Sequence, residues 1–321
     1  MKSQFVGKTF VVLGDSITEH GHYIKYLRAY FHGKKEKYYF FNRGTGGNRA
    51  VMAPYLLEPE IKELKPDYIG ISFGANDIGC WLYDGRKVET PALIAERKKR
   101  DYEFFEGYKS TIKAIKEKGI TPVVFSPFAM DELLFEKEDI ETIADNDEKA
   151  QNMDADFYTR KTYRNLNNAL KIYAERLKEI AIEEDALYLP MFEKTYQNML
   201  NTRGLFRDDG LHYSFGDGHK SIAKIILEYL GCEVPEDFPV IEENEELEKL
   251  VQNERHGGFI RRGSCSAFYG DIPESVVEEK AKGCLKETQS PWLLSVGGNY
   301  FKYKGKMDEL RLEIKRRTEN L

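Results

Sequence analysis

The chain has 321 residues, of which 41% are hydrophobic and 13% aromatic, enough apolar material for a sizeable core and too much for a chain disordered throughout. A formal net charge of −6 offers no basic field, and no run approaches the roughly 18 apolar residues of a membrane span, so neither nucleic acid nor membrane is expected as a partner. Cys80, Cys232, Cys265 and Cys284 are far apart and lack Cys-x-x-Cys or Cys/His zinc spacing; with no apolar signal segment after Met1, the chain reads as cytoplasmic, with reduced thiols, no metal and no cofactor.

In chain order, Phe10-Val11-Val12-Leu13 is apolar at consecutive positions, which suits a strand buried on both faces of a parallel sheet. It runs into Gly14-Asp15-Ser16-Ile17-Thr18, a turn that either caps the next helix or presents Ser16 at the carboxyl edge of the sheet. A helix is expected over 23–31 and a strand over 38–42, followed by the glycine-rich loop Arg43-Gly44-Thr45-Gly46-Gly47-Asn48, which lacks the spacing of a dinucleotide or P-loop fingerprint. A short helix at 59–64 leads to a buried strand at 68–73 that ends in Gly74-Ala75-Asn76-Asp77. Apolar residues at spacings of three and four predict a helix over 101–118, and the basic run 97–100 before it reads as a solvated helix start. A fourth strand is expected at 121–125, and an acidic irregular insertion, either a lid over the strand ends or a solvated loop, at 128–156. A long helix, a short strand at 186–189, the turn-rich stretch 204–218 and a last helix around 222–229 complete an alternating pattern that predicts a parallel sheet with helices on both faces.

Composition changes after Cys232, which places a boundary between a catalytic domain at 1–231 and a C-terminal extension at 232–321. The extension reads as a helix at 274–286, a hairpin whose strands 292–296 and 300–303 flank Gly297-Gly298-Asn299, and a helix at 307–317. Its apolar pattern is too thin for a core of its own. It is therefore expected to wrap the catalytic domain or a neighbouring subunit of a homo-oligomer.

If the strands are parallel, Ser16, Gly47 and Asn76 sit at one edge of the sheet, where Asp209-Gly210-Leu211-His212 can join them. A serine hydroxyl needs a base to become a nucleophile, and His212 can serve, with Asp209 fixing its tautomer. The tetrahedral oxyanion needs donors, for which the Ser16 and Gly47 amides and the Asn76 side chain are candidates. Asp208 competes with Asp209, although Asp-x-x-His spacing favours the latter. His20 and His22 have no third metal ligand in sight and read as loop residues, and His219 reads as structural. Asp15, Trp81 and Tyr83 are candidate substrate contacts, the two aromatics being equally suited to stacking on a sugar ring or to packing in the core.

These four blocks, in this order and with comparable spacing over roughly residues 8–230, resemble those of the SGNH (GDSL) hydrolase family of esterases and lipases. The resemblance implies a flavodoxin-like three-layer α/β/α sandwich with a central parallel sheet. It also implies Ser16 as nucleophile, His212 as base, Asp209 as third member, and Ser16, Gly47 and Asn76 as the oxyanion hole. The long insertion and the C-terminal extension depart from the family pattern. The expected activity is hydrolysis of small acyl esters, with carbohydrate acetyl esters favoured. A lipase or thioesterase-type acylhydrolase is the alternative within the enzyme class, and a non-catalytic binding module on the same fold the alternative outside it.

Overall fold

Phe10 to Leu13 form the centre of β1 (Lys8–Gly14), and all four are buried, as a strand covered on both faces requires. The computed structural model describes residues 8–31, 34, 38–83, 88–132, 165–207, 209–239, 244–259, 274–286 and 291–319. With β2 (Tyr38–Gly44), β3 (Tyr68–Ser72), β4 (Thr121–Phe125) and β5 (Leu187–Leu189), β1 builds a sheet of order β2-β1-β3-β4-β5 in which every neighbouring pair is parallel. The connections are helical, since parallel neighbours cannot be joined by tight hairpins. α1 (Ser16–His20) and α2 (His22–Phe31) follow β1, α3 (Ala53–Leu64) follows β2, and α4 (Ala75–Ile78) and the long α5 (Pro91–Glu117) follow β3. α6 (Leu166–Glu183) precedes β5, and α7 (Met191–Asn201) and α8 (Asp217–Tyr229) follow it. α2 packs with α8, whereas α5 packs with α3 and α6, so the sheet is the middle of three layers.

The core is aromatic along β1, where the Phe10 ring stacks on Phe40 at 5.0 Å and on Tyr68 at 4.6 Å across the two neighbouring strands. Tyr108 of α5 enters the carboxyl ends of β3 and β4: its hydroxyl accepts the Phe73 N–H at 3.0 Å and lies 3.2 Å from the carbonyls of both Ile71 and Phe125. That contact ties the ends of two strands to one helix.

Several elements differ from the expectations. α5 begins at Pro91 rather than near 101, because Thr90 caps it by accepting the Leu93 N–H and Pro91 suits the first helical turn. The expected insertion starts inside the core, with Phe128, Ala129, Met130 and Asp131 all buried; its remainder lies outside the described residues. After an irregular stretch at 232–239, the described parts of the extension are four helices, the last two joined by a turn at 304–306: α9 (Asn244–Phe259), α10 (Glu274–Lys286), α11 (Pro291–Tyr303) and α12 (Met307–Glu319). α11 replaces the expected hairpin. Its Gly297 is a packing glycine, not a turn residue, since a Cβ there would stand 2.8 Å from the Ala281 carbonyl of α10. Ala281, Val296 and Tyr300 form a small cluster of their own, whereas Phe238, Val251, Leu310 and Ile314 join the main core.

Candidate active site

Asp15 is the N-cap of α1, its carboxylate accepting the Ile17 N–H at 2.9 Å. The cap sets Ser16 at the first helical position, where a backbone N–H has no partner within the helix. Both sequence readings of the turn therefore hold together, because the residue that caps the helix also orients the serine. Asp15, expected as a substrate contact, is itself buried, and burial raises its carboxyl to about 6 against the pull of the neighbouring backbone N–H groups and of His212.

Ser16 Oγ lies 2.8 Å from His212 Nε2, and His212 Nδ1 lies 2.8 Å from Asp209 Oδ2. Asp209 Oδ1 accepts the backbone N–H groups of Leu211 and His212 at 2.9 and 2.8 Å, so the Asp-Gly-Leu-His turn is organised by the carboxylate that holds the ring. Partial burial would raise the Asp209 carboxyl, but the hydrogen bonds from His212 and Leu211 overcome it and hold Asp209 at about 2. An ionised Asp209 accepts the Nδ1 proton. The Nε2 lone pair is then left facing the serine hydroxyl. The loop carrying His212 is fixed to the start of the expected insertion, since Asp131 N–H donates to the Gly210 carbonyl at 2.8 Å and Tyr213 O–H to the Ala129 carbonyl at 2.8 Å. Asp208 lies outside the described residues.

The glycine loop presses directly against the turn that carries Ser16. A Cβ on Gly44 would stand 2.1 Å from the Glu19 nitrogen, and Thr45 N–H donates to the Gly14 carbonyl at 2.9 Å. The Glu19 carboxylate accepts the Gly46 N–H at 2.8 Å, while the exposed Gly47 amide has no hydrogen bond among the described residues. Across the turn, Asn76 donates one side-chain proton to the Asn48 carbonyl at 3.1 Å, which leaves the second for another acceptor. Asn76 is held in turn by Arg100 of α5, whose Nη1 donates to the Asn76 carbonyl at 3.1 Å.

Trp81 and Tyr83 are half-buried, and each carries an arginine over its ring: Arg100 at 4.8 Å and Arg97 at 4.2 Å. The basic run read as a solvated helix start thus contributes two side chains that clamp the segment after Asn76. Glu19 and Arg100 were missed as site residues. The spacing of Arg97 and Arg100, one helical turn apart, was the only signal available for the latter. His20 stands with its ring 5.1 Å from that of His212, and His22 stacks on Phe215 at 4.5 Å. His219 is buried and accepts the Tyr23 N–H at 3.3 Å; burial and the neighbouring histidines lower it to about 3. Among the described residues there is no group of three or more His, Cys, Asp or Glu able to hold a metal, and no helix long and apolar enough to cross a membrane.

Residues 12–216 match the sequence profile of the GDSL-like Lipase/Acylhydrolase family, a span that contains all four blocks. The chain belongs to that family. Among solved structures, the chain is similar to BT4096, a gut microbial diltiazem-metabolizing enzyme, with a TM-score of 0.56 and 20% identity. That likeness covers 70% of this chain and 47% of BT4096, so the chain spans about half the length of that relative. It is also similar to Axe2, an acetylxylan esterase from Geobacillus stearothermophilus, with a TM-score of 0.50 and 16% identity over 72% of this chain and 98% of Axe2. LAE5, an alpha/beta hydrolase enzyme from the metagenome of Lake Arreo, Spain, matches with a TM-score of 0.50 and 17% identity over 71% of this chain and 96% of LAE5. At these identities the likeness speaks to the fold. No curated protein sequence matches the chain.

Proposed function

We propose that this acylhydrolase is a serine esterase that removes small, acetyl-like groups from a polar alcohol, with carbohydrate esters as the substrate class. The observation that carries the reading is the hydrogen-bonded chain from Ser16 through His212 to Asp209, two links of 2.8 Å each. His212 Nε2 takes the Ser16 proton as Oγ attacks the ester carbonyl. The resulting oxyanion accepts from the Ser16 and Gly47 amides and from Asn76. Asp209 stabilises the imidazolium, which then protonates the departing alcohol, and water attacks the acyl-enzyme by the same path in reverse. The acyl side is read as small because the glycine loop lies beside the nucleophile, where even a single added Cβ on Gly46 would reach van der Waals contact with that of Ser16 at 3.8 Å. A long alkyl chain gains about 0.8 kcal/mol per buried methylene only where an apolar groove receives it, and the groups set around Ser16 are backbone amides, Glu19, Asn48 and Asn76. The acetylxylan ester of Axe2, a relative in fold, agrees with this choice.

The test pairs a fluorophosphonate probe, mapped to the labelled residue, with p-nitrophenyl esters of increasing chain length compared by kcat/KM. Label on Ser16 and a maximum at acetate are expected. A maximum at the longest chains would turn the reading toward a lipase, and no turnover with Ser16 unlabelled would turn it toward a binding module.

A further inference from the structure

Glu254 of α9 lies beyond the family match, yet it reaches the strand that carries the glycine loop. Its Oε2 is 2.9 Å from Nη1 of Arg43 in β2, and its Oε1 is 2.7 Å from Nε of Arg311 in α12. Side-chain exposure is 1% for Arg43, 1% for Glu254 and 7% for Arg311, so these charges are buried together between the sheet edge and the C-terminal helices, with the more exposed Asp308 carboxylate 3.8 Å from Arg311 Nη1. Removing one member of such a group leaves an uncompensated charge away from water, while an apolar trio of the same volume would often be at least as stable. Stability alone therefore explains this group poorly.

What the group holds is the tip of β2. Side chains alternate across a strand, so Arg43 faces the extension while Asn42 and Gly44 face the nucleophile turn. On that inner face Asn42 donates to the Glu19 carbonyl at 3.3 Å and accepts the Gly44 N–H at 2.9 Å, and Gly44 is in contact with the turn backbone. On the outer face Arg43 Nη1 both meets Glu254 and donates to the Asn42 carbonyl at 2.8 Å. Three and four residues beyond Arg43 stand Gly46, tied to Glu19, and Gly47.

We propose that Glu254 is a positioning residue for ester hydrolysis: through Arg43 it fixes the end of β2 and so the aim of the Gly47 amide, which makes the C-terminal helices part of the active site. The inference rests on the reading of Ser16, Gly47 and Asn76 as a hydrolytic centre. Replacing Glu254 with Gln turns one acceptor into a donor facing a guanidinium, so the carboxylate charge between Arg43 and Arg311 is lost without loss of volume.

The experiment uses the full chain and compares the parent with Glu254→Gln and Arg311→Met. It measures kcat and KM for p-nitrophenyl acetate, the rate of fluorophosphonate labelling at Ser16, and the thermal midpoint. Misplacing a donor should lower kcat of Glu254→Gln by about 10- to 100-fold. KM should stay within about twofold, because the donor acts on charge that develops in the transition state. Labelling should slow in parallel, since the probe passes through the same oxyanion site, and Arg311→Met should show a smaller loss of the same kind. If both variants melt earlier but keep the parent's kcat well below their midpoints, Glu254 is structural and the inference is overturned. Should Glu254→Gln fail to fold, Arg311→Met decides in the same terms. A parent chain that neither turns over ester nor labels at Ser16 overturns the hydrolytic reading and this inference together, whereas an active parent with unchanged variants overturns this inference alone.

Discussion

Asn76, a donor of the proposed oxyanion hole, is held by Arg100 from outside the proposed triad. Asn76→Ala should lower kcat by about 10²–10³ with little change in KM, as expected for a group that acts on developing charge; an unchanged kcat would take Asn76 out of the mechanism. Arg100→Met keeps the stem but removes the bond to the Asn76 carbonyl and the guanidinium over Trp81. A loss in kcat of about tenfold, smaller than for Asn76 itself, is expected from steady-state kinetics. The neighbouring Asp77 bears on stability instead. It is wholly buried, its Oδ1 accepts the Ala50 N–H at 2.8 Å, and Oδ2 has no partner among the described residues. Burial pushes its carboxyl up to about 7, against the pull of the Ala50 N–H and Arg49 and with a further push from Asp15. Because this pKa lies above the unfolded value, the folded chain holds the proton longer. The contribution to stability is full below the ordinary carboxylate range and is lost as pH rises to about 7. Asp77→Asn keeps the acceptor without the charge, so it should raise the thermal midpoint in alkaline buffer and leave it nearly unchanged in acid. An equal shift at both ends would contradict the assignment.

At the scale of elements, α11 separates two readings of one glycine pair. Gly297-Gly298 within aromatic flanks is a hairpin signal, and the chain makes a helix of it because Gly297 lets α10 and α11 approach closely. Gly298 has nothing within 4 Å of its Cβ position, so in a helix its replacement by Ala should stabilise the protein by roughly 0.5–1 kcal/mol. In a hairpin turn the same change would destabilise, and chemical denaturation of Gly298→Ala reads the sign. α5 offers the complementary case. Its amphipathic half, from about residue 101, shows in the periodicity, but the preceding turns are largely exposed and have no apolar stripe to show. Thr90-Pro91 was the visible mark of the true start.

At the scale of the molecule, the sheet order places β1 between β2 and β3, so the serine, glycine and asparagine blocks leave adjacent strands at one edge. The C-terminal helices close that arrangement from the side of β2. Truncation after Gly231 would strip Phe238, Val251, Leu310 and Ile314 from the main core and leave Arg43 without Glu254. Breaking a buried ion pair in this way costs about 3–5 kcal/mol before the lost apolar contacts are counted. The truncated chain should therefore aggregate or melt well below the parent, as size-exclusion chromatography and thermal denaturation would show. A soluble, equally stable fragment would mean that the extension is an independent appendage.

Sequence alone determined the strands of the central sheet, the alternation that makes it parallel, and the candidacy of Ser16, Asn76, Asp209 and His212. Those features are local: a run of apolar residues buries itself wherever it folds, and a turn residue acts within a few positions of its neighbours. Only the tertiary structure decided which groups support the site. Glu19 under Gly46, Arg100 under Asn76 and Glu254 against Arg43 are partners 24 to 211 residues apart, and each reads in sequence as an ordinary surface charge. The same holds for the glycine pair in α11, whose meaning depends on the helix that packs against it. A charge or a glycine carries no record of its partner, and burial, which makes that partner matter, is a property of the fold.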